Sequence, residues 1–141
     1  MKALTASNIY QSNRLICYGV DTNTADMFWQ VPVTVSQKRQ GEHILLIRHG
    51  EYELYPGDIP AWSLSALLTS VLPARVEIGS LKAELRLSTR LTDNGNCIWG
   101  ISYQFGETPM CYHESADPIQ ACIEMIEWLA KHRRADKIYF L

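Results

Sequence analysis

Apolar positions recur at helical spacing most clearly near the end of the chain. Stepped at about 100° per residue, Ile119, Cys122, Ile123, Ile126, Leu129 and Ala130 fall on one side, and Ala121, Met125 and Trp128 extend it. Gln120, Glu124, Glu127 and Lys131 line the opposite face. Asp117 is a suitable N-cap, Pro118 sits where a missing N–H costs nothing, and Lys131, Arg133 and Arg134 complement the C-terminal dipole. The apolar arc is wider than one sheet contact needs, so its flank is expected to meet a second element or another chain. Trp62, Met125 and Trp128 are the interface candidates, because large apolar side chains are the usual anchors of a protein contact.

Upstream the period changes to that of strands, at Arg75–Leu91 with a break open at Gly79, Cys97–Phe105 and Met110–His113. The turn chemistry decides the register. A two-residue Asn94-Gly95 turn would put Arg86, Ser88 and Arg90 on the face of Tyr103, Ile101 and Trp99. A three-residue loop, Asp93-Asn94-Gly95 with Gly95 left-handed, pairs Leu91 with Cys97, Thr89 with Trp99, Leu87 with Ile101 and Leu85 with Tyr103. Only the second arrangement separates an apolar face from a polar one, so it is the one predicted.

The first half is less regular. A helix is predicted from about Thr5 to Tyr18, stopped by Gly19, and a short second helix from the Asp21-Thr22-Asn23-Thr24 caps through Met27. Val31–Val35 reads as an edge strand because of Pro32. His43–Arg48 and Glu51–Tyr55 read as a hairpin around His49-Gly50, setting Arg48 opposite Glu51, Ile47 opposite Tyr52 and Leu45 opposite Leu54. Ser63 caps a helix that Pro73 ends. The sum is one α+β domain over residues 1–141. Its antiparallel sheet, built of a meander and hairpins, is packed by a long C-terminal helix and by shorter N-terminal and central helices.

Composition narrows the function classes. At 141 residues, 47% apolar and 20% charged, the chain can bury a core without disulfides or metal. A formal charge of −2 gives no general attraction to polyanions, so no nucleic-acid partner is expected. No export signal or membrane-length apolar run is visible, so a cytoplasmic protein with free thiols is expected. Cys111 and His113 share one strand face, with Cys97 and Cys122 as further metal-capable groups. The paired short spacings of a zinc site are missing, however, so the cysteines are expected to be small core hydrophobes, with no metal and no cofactor.

Leu46-Ile47-Arg48-His49-Gly50-Glu51 resembles the Arg-His-Gly signature of the histidine phosphatases. The resemblance implies a phosphorylated His49 and an Arg48 clamp on the phosphoryl group, together with a second arginine, a second histidine and an acid. Only His113 offers itself as the second histidine, and a β-meander stands where that family alternates helices with parallel strands. Residues Gln11–Trp29, around Gly19, loosely follow a helix-turn-helix, with Asp21 and Asp26 where phosphate contacts would favour cations. Three further blocks, Val20–Met27, Ile59–Leu68 and Asp117–Ile126, are together similar to small uncharacterised proteins carried by prophages and mobile elements of gut bacteria. That resemblance implies no activity, cofactor or site residue. The expected function is therefore a non-enzymatic accessory or protein-interaction protein of a phage or mobile element, acting as a homo-oligomer or with a protein partner. The alternatives are a histidine-phosphatase-like hydrolase using Arg48 and His49, and a small DNA-binding regulator.

Overall fold

The structure, a computed structural model, describes residues 5–31, 43–50 and 53–132. Its first helix, α1 (Ile9–Cys17), begins at a capping box: Asn8 accepts the Gln11 backbone N–H at 2.8 Å, and the Gln11 side chain accepts that of Asn8 at 3.0 Å. The helix starts later than the Thr5 expected because Ser7 is held in extended pairing with Trp62, through Ser7 N–H to Trp62 O at 2.8 Å. Gly19, at φ 86°, follows its C-terminus as predicted.

The expected second helix shrinks to one 3-10 turn, Thr22–Thr24, capped by the Asp21 carboxylate. Met27 instead opens strand β1 (Met27–Gln30), where Phe28 and Trp29 suit a pleated surface. β1 is the centre of a three-stranded antiparallel sheet, between β2 (Ile44–Ile47) and β3 (Ile59–Ala61). The hairpin expected around His49-Gly50 is therefore corrected. Leu45 faces Trp29 rather than Leu54, Ile47 faces Met27, and residues 53–55 form no strand. The physical reason is that β1 offers β2 a full ladder, which the Arg48 N–H extends to Asp26 O at 2.9 Å. Residues 32–35 of the expected edge strand, and Glu51 and Tyr52 of the expected hairpin, lie outside the described residues.

β3 leads into α2 (Leu64–Ala66), where Ser63 accepts the Ala66 N–H at 3.1 Å, and α2 continues as a π-helical segment, Leu67–Val71. The Thr69 hydroxyl takes the Ser65 carbonyl at 2.7 Å, and the Leu72 N–H reaches back five residues to Leu67 O at 2.8 Å. Leu67, Val71 and Leu72 enter the core there, ahead of Pro73.

The second sheet is a meander in chain order, β4 (Arg75–Ile78), β5 (Leu81–Leu91), β6 (Cys97–Phe105) and β7 (Thr108–Ser115). The chain breaks at Gly79, φ 65°, a point the sequence left open. The β5–β6 register is the one derived from the three-residue loop: Leu91 faces Cys97, Thr89 faces Trp99, Leu87 faces Ile101 and Leu85 faces Tyr103. Gly95 stands at φ 79°.

The last helix, α3 (Pro118–His132), packs on β6 and β7 and also meets α1 and the central helical segment. Ile119, Cys122, Ile123, Met125, Ile126 and Leu129 are no more than 1% exposed, each fully buried large side chain being worth about 1.5–3 kcal/mol. The polar side of α3 is used as well: Gln11 Nε2 donates to Asp117 Oδ2 at 3.1 Å and Gln120 Oε1 at 3.0 Å, and Arg14 meets Glu127 at 3.3 Å. The wide arc is thus covered from within. Two of the interface candidates are corrected accordingly, because Trp62 and Met125 are each 0% exposed inside the chain. The Trp62 indole donates to Thr24 Oγ1 at 2.9 Å, which satisfies the polar edge that a partner would otherwise have met. Trp128 is half-buried and stacks on His132 with ring centroids 4.5 Å apart.

Candidate functional site

Side-chain alternation along β7 turns Cys111 and His113, which face Tyr103 and Ile101, toward α3. There they meet two consecutive residues of the helix, Met125 and Glu124. Cys111 Sγ lies 3.4 Å from His113 Nε2 and 3.8 Å from Met125 Sδ, while His113 Nδ1 lies 3.9 Å from Glu124 Oε1. His113 and Glu124 line one side of an open groove of about 530 Å³, whose other walls include Arg14, Glu127 and Lys131.

Electrostatics set the resting protonation. Burial pushes the Cys111 thiol up to about 11 and lowers His113 below its ordinary value, with Glu124 and Glu127 pulling the imidazole back. At neutral pH the thiol is protonated and the ring neutral. The thiol donates to Met125 Sδ, and whether Nε2 donates to the sulfur or accepts from it follows the tautomer of the ring. Burial, followed by the Asp117 charge, pushes Cys122 up to about 12, so that thiol is inert packing. Beyond Glu124, the Tyr18 hydroxyl holds Glu127 below the usual carboxylate range, helped by Lys131 and Arg14. The groove therefore balances two acids against two bases.

Among the described residues no three His, Cys, Asp or Glu side chains gather as a metal site. Of the four groups named from the sequence, only Cys111 and His113 come together. Cys97 is exposed and Cys122 is buried, and all four cysteines are free thiols. Sequence reasoning missed Met125 as a neighbour of this pair, because its helical spacing marks it only as core. The available signal was a strand pair at i, i+2 facing a helix that carries methionine.

The Arg48-His49 motif lies elsewhere. Arg48 Nη1 donates to Thr22 O at 2.9 Å and Ala25 O at 3.4 Å, closing the carbonyl end of the 3-10 turn. His49 is exposed. The recess beside Arg48 is lined by Asn23, Ala25, Gly50 and Glu53 and includes neither His49 nor His113. Among the described residues, His113 lines the groove beside α3 while Arg48 lines a separate recess, so these two do not share one pocket. The helix-turn-helix pattern is likewise not formed, since residues 20–29 make a 3-10 turn and β1. Asp21 caps that turn, and Asp26 accepts the Ser63 N–H at 2.9 Å and its hydroxyl at 2.5 Å. Asp26 thereby joins the start of β1 to the start of α2.

A different surface stands out on the meander. Leu87, Thr89 and Leu91 alternate on the same side of β5 as Leu85, and Trp99 and Cys97 face the last two. α3 starts just after Ser115, which itself faces Trp99, so Leu91 and Cys97 lie past the level at which the helix begins, while Leu87, opposite Ile101, lies on β5 beside the two strands on which α3 packs. Leu87 is left 39% exposed and Leu91 73%.

Set against models of known protein families, against curated proteins and against solved structures, the chain finds no match in any of the three. Among the described residues no helix is long and apolar enough to cross a membrane.

Proposed function

We propose that this is a non-enzymatic accessory protein of a phage or mobile element that works by protein contact, in the first instance with a second copy of itself. The single observation that carries the reading is the apolar end of the β5–β6 hairpin. Leu87 and Leu91 continue the core face of the sheet into solvent, next to Trp99 and Cys97. Scattered exposed hydrophobics are ordinary, whereas side chains that extend one core face in register form a contiguous surface that water does not favour. An uncharged strip pairs well with its own copy about a two-fold axis, and a net charge of −2 opposes that approach little. The phage or mobile-element setting rests on the resemblance of the three sequence blocks.

The same reading assigns Arg48 to holding the 3-10 turn rather than a phosphoryl group. Phosphomonoesterase assays over a panel of substrates test that part. Turnover that disappears in His49→Ala would return the protein to the hydrolase reading. Sedimentation analysis of the wild type and of a Leu87→Asp/Leu91→Asp double variant tests the contact itself.

A further inference from the structure

We propose that Cys111, His113 and Met125 form a binding site for one soft monovalent metal ion, copper(I), with silver(I) as its working analogue. The site is independent of the hairpin contact. Three donors of the right chemistry converge from two elements: a thiol sulfur, an imidazole nitrogen and a thioether sulfur. The thiol stands 3.4 Å from Nε2 and 3.8 Å from Sδ. A trigonal ion held at about 2.0–2.3 Å by each donor needs donor separations of roughly 3.7–4.0 Å, and the two separations from the thiol sulfur lie within a few tenths of an ångström of these. Nε2, rather than Nδ1, is the nitrogen beside the sulfur, and Nδ1 faces Glu124 at 3.9 Å. That separation is longer than a hydrogen bond, and closing it would let Nδ1–H donate to the carboxylate, the arrangement that orients a metal-bound imidazole and strengthens it as a donor.

The donor set selects the ion. Thioether sulfur is a poor ligand for zinc, calcium or magnesium and a good one for copper(I). Charge gives the same answer. Binding displaces one proton from the Cys111 thiol to solvent, and the thiolate neutralises a single positive charge, so the thiolate and ion together carry no net charge into a partly buried site. No electron is transferred. Met125 is 0% exposed and Cys111 partly buried, while His113 and Glu124 border the open groove, so an ion would enter past the imidazole.

The test uses the reduced full chain carrying Cys17→Ser and Cys97→Ser, which removes the two exposed thiols that would bind copper on their own. Copper(I) is titrated anaerobically against a chromophoric copper(I) chelator. X-ray absorption at the copper edge reports the donor atoms, and circular dichroism checks each fold. The expected result is one ion per chain, bound by two sulfurs and one nitrogen. Cys111→Ser should abolish binding. Met125→Leu, which keeps the packing volume, should lose one sulfur from the absorption spectrum and weaken competition with the chelator. Glu124→Gln should weaken it by roughly tenfold. Binding that survives Met125→Leu unchanged, no retention of copper by the folded protein, or a preference for zinc(II) unaffected by Met125→Leu would each overturn the site.

Discussion

The β5–β6 hairpin is one ladder with two fates. At its covered end Tyr103 and Ile101 are 0% exposed beneath α3, and the Tyr103 hydroxyl donates to Pro73 O at 2.7 Å. At its bare end, on the same face and in the same alternation, Leu91 is 73% exposed. Each end carries a leucine and an aromatic side chain on this face, Leu85 with Tyr103 at the one and Leu91 with the neighbouring Trp99 at the other. The difference is whether a helix lies above. Where one does, the apolar face stabilises the monomer, and where none does, the same chemistry is available to a second chain.

Substitutions along this ladder can break the contrast. Ile101→Ala at the covered end is expected to cost about 2–5 kcal/mol in denaturant unfolding, because it leaves a cavity under α3. Tyr103→Phe should cost about 1–3 kcal/mol, since the buried Pro73 carbonyl loses its donor while the packing stays. Away from the ladder, Ser63→Ala removes both the α2 cap and the Asp26 bond and should cost about 1 kcal/mol. A loss at Ile101 no larger than that at Ser63 would show that the covered end is not the stabilising one.

The outer face of the same sheet supplies a pH test. The Arg90 guanidinium, with the Tyr112 hydroxyl, holds the Glu114 carboxyl down to about 2. A depressed acid stabilises the fold above its ordinary value near 4.5, and that contribution fades as pH falls from there toward 2. Glu114→Gln should therefore lower stability at neutral pH and flatten the acid limb, the two profiles converging as pH falls toward 2. An acid limb identical in the two proteins would remove the claim. The smallest effect is expected for Leu91→Ala, within about 0.5 kcal/mol of the wild-type monomer. A larger loss would mean that the bare end is packed after all.

Much of this was legible from residue order. The Asp117 cap of α3 and the β5–β6 register follow from local chemistry, because Asp117 Oδ1 accepts the Ile119 N–H and a one-residue slip would have exposed every apolar side chain on the face, while Arg133 and Arg134 lie outside the described residues. The first half was read less well. Met27–Gln30 is a strand because β2 and β3 flank it, a pairing with partners distant in sequence that no local pattern announces. The same ladder took β2 away from the hairpin drawn around His49. Trp62 and Met125 were read as surface anchors because periodicity measures how wide an apolar arc is, not which element covers it. The Cys111–His113–Met125 group was half visible: the strand pair is written in the sequence, but its third member comes from the packing of α3 on β7.

Sedimentation velocity over a wide concentration range, comparing the wild type with Leu87→Asp/Leu91→Asp, tests the central claim most directly. The account predicts that the wild type sediments faster as concentration rises, toward a dimer, while the double variant, with unchanged circular dichroism and unfolding midpoint, stays a monomer throughout. A wild type that remains strictly monomeric, or a double variant that associates equally well, would contradict it.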